Sequence, residues 1–278
     1  MMDTSDRTFR PDLCAGRVAI VTGGGTGIGL AIAEALVSHG ARVVIAARNA
    51  ERVERAAERL RERAARAGQG GAVHAETCNV REPSACEGLV AATVETFGTP
   101  DAVICNAGAN FLSRALDVRD RGLRAILDTL VVGSLALSIA AARTVREALA
   151  RGAPRRDVSI LMLGGANGWN GSPMMAPSGM GKAALSSLVR SLAVEWAPLG
   201  IRVNEVMPGP VDTEGARERL WPDEATRAAI SARVPLGRLV SEDDVVGAVL
   251  FLLSPAASFV TGTSVVVDGG NRVWRQLV

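Results

Sequence analysis

The stretch Thr22-Gly23-Gly24-Gly25-Thr26-Gly27-Ile28-Gly29 constrains this chain more than any other. It follows the apolar run Val18-Ala19-Ile20-Val21 and opens into Leu30-Ala31-Ile32-Ala33-Glu34-Ala35-Leu36, a helical pattern. Strand, glycine turn and helix in that order make a dinucleotide site. Glycines let the backbone turn tightly and approach a pyrophosphate, while the free N–H groups and positive dipole end of the new helix face its negative charge. A glycine cluster alone is a weak signal; the strand before it and the helix after it supply the context that the motif needs.

The same alternation continues. Strand patterns at 41–47, 72–77, 102–105, 158–163, 201–206 and 264–267 are separated by helical ones at 51–66, 83–97, 126–142, 183–197 and 243–253. This predicts an α/β fold, a single Rossmann-like doubly wound parallel sheet of about seven strands. With 278 residues, 48% of them hydrophobic, the chain can bury one sizeable core, so one domain is expected over 16–278 after an N-terminal extension at 1–15. The segment 51–66 is dense in Glu and Arg, with Glu51/Arg55 and Glu62/Arg66 at i,i+4 spacing, and reads as a solvated helix. The segment 126–142 is almost wholly apolar. It is too short for a membrane span and Asp128 interrupts it, so it reads as a helix buried in the core or across a subunit contact, and no membrane association is expected.

Charge narrows the partner. Thirty-one basic against 29 acidic residues leave no excess to neutralise a nucleic-acid backbone, so the expected partner is a small molecule. Residues 1–10 carry charges and no apolar core of a secretory signal, which implies a cytoplasmic address. Cys14, Cys78, Cys86 and Cys105 lack metal-ligand spacing; they read as buried thiols, and no metal is expected.

The glycine spacing TGxxxGxG, Cys105-Asn106-Ala107-Gly108 (similar to NNAG), Pro208-Gly209-Pro210-Val211-Asp212-Thr213 (PGxxxT) and Val267-Asp268-Gly269-Gly270 (DGG) together resemble the short-chain dehydrogenase/reductase family, over about residues 16–271. The resemblance implies a cofactor site made of Gly23, Thr26, Gly27, Ile28, Gly29, Asn79, Asn106, Ala107, Gly108, Lys182, Pro208, Gly209, Val211 and Thr213. It further implies a substrate lid at about 212–235 and a homotetramer, or assembly with a homologous subunit. Ala47 stands where NAD-using members carry Asp, and Arg48 follows as in NADP-using relatives. An arginine there suits a 2′-phosphate, so NADP(H) is the expected cofactor.

Ordinary members of the family reduce carbonyls with a tyrosine acid, a lysine four residues later, a serine thirteen residues before the tyrosine, and a helix asparagine. Here the lysine is Lys182, but Ser178, Gly165 and Leu130 occupy the other three positions, and the chain contains no tyrosine at all. A carbonyl that accepts hydride becomes an alkoxide needing a proton at once; a phenol near pKa ~10 can be tuned to deliver it, and a serine hydroxyl is far less acidic. His39 and His74 fall on the cofactor half and offer no obvious substitute. Ordinary ketoreduction is therefore not expected.

Pro177-Ser178-Gly179-Met180-Gly181-Lys182, Asn110-Phe111-Leu112 and the segment 253–262 resemble more closely the 2,4-dienoyl-CoA and trans-2-enoyl-CoA reductase branch. That branch places a different tyrosine and asparagine at the thioester oxygen, where this chain has Asn167 and Val132. Alkene reduction tolerates the loss better, because hydride addition to a conjugated alkene leaves an enolate that needs hydrogen-bond donors more than immediate protonation. Lys182, Ser178 and Asn167 are the candidate catalytic residues, with Asn170 as a further donor; Asn167-Gly168 and Asn170-Gly171 read equally well as turns. Trp169, Met174, Met175 and Trp221 suit either an apolar pocket or ordinary packing. Three functions stay open: an NADP(H)-dependent reductase of an activated alkene, a silent homologue acting as subunit or regulator, and a non-redox isomerase or cyclase.

Overall fold

Seven short runs rich in Val, Ile, Ala and Leu pair as parallel strands in the computed structural model, which describes residues 9–108, 110–221 and 223–273. They are β1 Val18–Thr22, β2 Arg42–Ala47, β3 Ala72–Thr77, β4 Ala102–Cys105, β5 Val158–Leu163, β6 Ile201–Pro208 and β7 Ser264–Val267, in the order β3-β2-β1-β4-β5-β6-β7. The expected doubly wound sheet is therefore present. β1, β4, β5 and β6 are buried along their whole length, so both faces of the sheet need covering. The order reverses between β1 and β4, and at such a switch point a crevice opens beyond the carboxyl ends of the strands. The reading of residues 1–10 as lacking a leader falls mostly outside the described residues, as do 274–278.

One face carries α1 Gly27–Ser38 and α2 Ala50–Ala67; the other carries α3 Pro83–Phe97 and the long α4 Asp120–Ala150. The Glu51/Arg55 and Glu62/Arg66 pairs form, at 3.6 and 3.5 Å, yet α2 is not solvated all round. Val53, Ala56, Ala57, Leu60 and Ala64 recur at helical spacing and bury a full face, which is what holds it to the sheet.

α4 corrects the length argument made for 126–142. The helix runs 31 residues, long enough to span a bilayer, with a π-helical segment Asp128–Val132 inside it. Packing accounts for its apolarity: 56% of its most apolar stretch is buried within the fold, including Ile126, Leu130, Leu137 and Ala141.

The next helices shape the crevice. α5 Asn167–Asn170 is a single turn and α6 Ala176–Trp196 follows it, starting at Ala176 rather than 183 because Pro177 sits in its first turn. Ser178 and Lys182 therefore lie on a helix. The segment 212–235, read as irregular, contains α7 Glu214–Arg219 and α8 Glu224–Ser231, whose amino ends are capped by Thr213 and Asp223. α9 Glu242–Leu253 then returns to the core face beside α1.

Candidate active site

The glycine turn is braced from β4. Asn106 Nδ2 donates to Thr22 O at 2.9 Å and to Gly23 O at 3.4 Å, and the N–H groups of Asn106 and Ala107 both donate to Thr22 Oγ1 at 3.1 Å. Gly29 sits so close beneath Gly23 O and Asn106 Nδ2 that any Cβ would collide with them. Gly23 and Gly27 have φ of 67° and 54°, the left-handed region where glycine is favoured. The first turn of α1 receives no side-chain cap from Thr26, so its amides remain directed at the crevice. An uncapped helix start behind a glycine-rich loop fits a pyrophosphate.

The crevice is a cleft of about 1380 Å³. It is lined by Gly23, Thr26, Gly27, Ile28, Gly29, Asn106, Gly108, Lys182, Pro208, Gly209, Val211 and Thr213 of the expected cofactor set, and by Ser178 and Asn167. Ala107 does not line it, and its role is the backbone brace to Thr22. Asn79 also stands outside the lining; its amide donates to Glu82 Oε1 at 2.7 Å. Arg48 is exposed at the end of β2 and makes no ion pair among the described residues. The sequence reading missed its companions. Arg48 itself stands outside the cleft lining, whereas Arg52, Arg55 and Arg59, spaced along α2, line it, with Arg52 Cγ 3.7 Å from where a Cβ on Gly25 would stand. The 52, 55, 59 spacing within the helical segment was the available signal.

At the other end of the cleft, two glycines bring α5 against α6. A Cβ at Gly168 would stand 2.7 Å from Lys182 Cβ, and one at Gly179 would stand 3.1 Å from Asn167 O. That close approach sets Asn167 Nδ2 3.3 Å from Ser178 Oγ, as donor to it. The Ser178 hydroxyl proton has no acceptor among the described residues and is free to be donated into the cleft. Gly165, where the family serine would stand, also lines the cleft, and a Cβ there would lie 2.9 Å from Asn167 Oδ1. The asparagine amide thus fills the space that a serine side chain would need.

Lys182 Nζ donates to Leu163 O at 2.5 Å. Burial pushes its ammonium down to about 8, with the negative charge of Glu205 opposing the shift. Leu130 sits in the π-helical segment of α4, buried, between Gly108 and Gly181: Cβ atoms on those glycines would stand 3.5 and 3.0 Å from its methyl carbons. It presents hydrocarbon to the cleft. Met174, Met175 and Trp221 also line it, whereas Trp169 is 63% exposed, stacks under the Arg272 guanidinium at 4.7 Å, and takes no part. Met174 has φ of 63°, unusual outside glycine, and its carbonyl accepts from Ser113 N at 2.9 Å, tying the loop after β4 to the start of α6.

Asn170, a further candidate donor, lines the cleft but donates to Arg272 O at 3.4 Å. His39 Nδ1 lies 2.8 Å from Ala35 O and His74 Nε2 lies 2.9 Å from Glu76 Oε1; neither lines the cleft. All four cysteines are buried free thiols.

A seven-stranded parallel sheet with a glycine turn at its switch point and a lysine-bearing helix across the cleft defines a nucleotide-binding protein of the Rossmann class. Residues 23–272 match the family described as enoyl-(acyl carrier protein) reductase. The chain is 36% identical over 270 residues to a peroxisomal 2,4-dienoyl-CoA reductase of Danio rerio, covering 97% of this chain and 86% of that protein. A peroxisomal 2,4-dienoyl-CoA reductase of Saccharomyces cerevisiae is 34% identical over 266 residues, covering 96% and 87%. Among solved structures, a short-chain type dehydrogenase/reductase from Mycobacterium marinum superposes with a TM-score of 0.82 at 32% identity, covering 94% of this chain and 98% of that one. The 3-ketoacyl-(acyl-carrier-protein) reductase from Brucella melitensis, complexed with NADH, gives 0.83 at 27% identity, covering 93% and 99%. The chain belongs to the short-chain dehydrogenase/reductase family.

Proposed function

We propose that this protein is an NADPH-dependent reductase of an electron-poor alkene, with enoyl or dienoyl thioesters as the substrate class. The observation that carries the reading is the pairing of a fitting dinucleotide cleft with a donor pair, Asn167 and Ser178, in place of a phenolic acid. The names of the relatives in Danio rerio and Saccharomyces cerevisiae support it.

NADPH, when bound, supplies a hydride. The glycine turn and the start of α1 hold its pyrophosphate, Lys182 its ribose, and Arg48 with Arg52 the 2′-phosphate. Leu130, Met174, Met175 and Trp221 keep water from the acyl chain. Ser178 O–H, itself polarised by Asn167 Nδ2, donates to the thioester oxygen as it becomes an enolate, and the Lys182 ammonium adds positive field. The α-carbon then takes its proton from solvent. A homotetramer is part of the same reading; a monomer by light scattering at micromolar concentration would overturn that part.

The test is NADPH consumption against a panel of enoyl, dienoyl, quinone and ketone substrates. With an enoyl thioester, deuteride-labelled NADPH should mark the β-carbon and heavy water the α-carbon; with a dienoyl thioester the deuteride should fall at the far end of the conjugated system and heavy water again at the α-carbon, while simple ketones turn over negligibly. If NADPH binds and no activated alkene consumes it, the reading fails and the silent or non-redox alternatives replace it.

A further inference from the structure

Glu205 is a carboxylic acid in the wholly buried strand β6, with no exposure to solvent. Its backbone is held by the sheet, pairing Met162 in β5 and Ser264 in β7, so the side chain cannot swing out to water. Oε2 accepts the hydroxyls of Ser186 at 2.7 Å and Ser264 at 2.5 Å. Oε1 is buried with no hydrogen-bond partner. That oxygen lies against Gly164, in the space where any Cβ on residue 164 would fall.

This places it beneath the cleft floor. Gly164 and Gly165 line the cleft, and the residue before them, Leu163, offers the carbonyl that receives Lys182 Nζ. A carboxyl and an ammonium therefore meet the same dipeptide, one from β6 and one from α6. Ser186 is one helical turn beyond Lys182, so the helix that carries the ammonium also grips the carboxyl. The charged groups acting on Glu205 are Lys182 and Arg190, both on α6; β7 contributes a hydroxyl and the loop after β5 only glycine backbone. Burial raises the carboxyl from its ordinary range, and the two hydroxyls and two cations pull it back. A buried carboxyl with an unpaired oxygen is a poor structural device, since an amide or hydrocarbon would fill the space at less cost.

We propose that Glu205 is a positioning residue which keeps Lys182 an ammonium, the two forming one buried charge pair across Leu163-Gly164 with Oε1 as the counter-charge. The pair deepens the reading of the cleft as a reductase site, in which Lys182 faces ribose and enolate, but it does not depend on which alkene is reduced. Glu205 touches neither substrate nor cofactor. It acts through Lys182.

Lys182 is the only lysine in the chain, so protein labelled with ¹⁵N,¹³C-lysine gives a single side-chain signal whose titration can be followed without cofactor. Glu205→Gln should lower the Lys182 midpoint by on the order of one pH unit, and Glu205→Asp, which keeps the charge, should bring it back toward the wild-type value. A space-filling role predicts the reverse ranking, with isosteric Gln like wild type and shorter Asp the worse. The alkaline limb of NADPH-dependent turnover should shift with the NMR midpoint; if turnover is absent but the midpoint moves, the charge pair stands and the alkene reading falls. Should Glu205→Gln not fold, the reciprocal variant Lys182→Met removes the cation and should raise the Glu205 carboxyl midpoint, read in protein labelled with ¹³C-glutamate. A Lys182 midpoint unmoved or raised in Glu205→Gln, or a Glu205 midpoint unmoved or lowered in Lys182→Met where that variant stands in, overturns the proposal.

Discussion

The side-chain oxygen of Asn167 stands 2.9 Å from the point where a Cβ on Gly165 would lie, so the missing serine and the asparagine two residues later are one structural change. Restoring the family residue should therefore do harm. Gly165→Ser is expected to push the Asn167 amide off Ser178 and lower alkene turnover, with NADPH affinity by calorimetry nearly unchanged. Recovery of strong ketone reduction in that variant would contradict the assignment.

Removal of the donors themselves should be costlier. Asn167→Ala and Ser178→Ala are each expected to lower turnover by ~10²-fold or more, since loss of one oxyanion donor typically costs that much. KM for NADPH should barely change, and the double variant should lose less than the product of the singles, because the two groups share one hydrogen bond. Steady-state kinetics on the three variants decides it.

Cofactor choice should sit on Arg48, after β2, and on the arginines of α2 that follow it. Arg48→Asp and Arg52→Ala are each expected to weaken NADPH binding by about tenfold or more, the worth of a charged hydrogen bond, and to leave NADH binding near its starting value. Equal calorimetric affinity of the unmodified protein for NADH and NADPH would count against the choice.

Lys182 sets opposite pH trends for function and stability. Its ammonium titrates at about 8 in the fold against 10.5 for an ordinary lysine, so between those values the unfolded chain binds the extra proton and the Lys182 contribution to stability rises with pH. Function needs the ammonium. NADPH affinity should fall above pH 8, by up to about tenfold per unit, while chemical denaturation shows no parallel loss from this group.

Asp212 holds the segment over the cleft. It accepts Arg217 Nε at 2.8 Å and Arg227 Nη2 at 2.8 Å, and Arg217 first, then Arg227, hold its carboxyl below the usual 3.8. The clamp is therefore complete above pH 4 and is lost as acid protonates Asp212. Because both arginines are at least partly in water, Arg227→Ala should cost at most ~1 kcal/mol of global stability. Limited proteolysis within 212–235 should nonetheless quicken, and that is the measurement.

What the sequence determined by itself was whatever depends on local pattern. Apolar runs alternating with helical periods defined all seven strands, several to the residue, because a strand buried on both faces is mostly apolar. The glycine turn and Lys182 were legible for the same reason: backbone chemistry demands glycine there, and spacing along one helix relates Lys182 to Ser178. Tertiary structure decided the rest. The π-helical segment in α4 is where Leu130 packs between Gly108 and Gly181, a relation that no single-segment pattern contains. Asn167 could be read as a turn residue or a donor until α5 was seen pressed onto α6 through Gly168 and Gly179. Glu205 was only one of three polar residues in a strand pattern, and its meaning depends on Gly164, Ser186 and Ser264, brought to it by different parts of the fold. A charge acquires its role from what surrounds it in space, and burial and counter-charge are properties of the fold rather than of the chain.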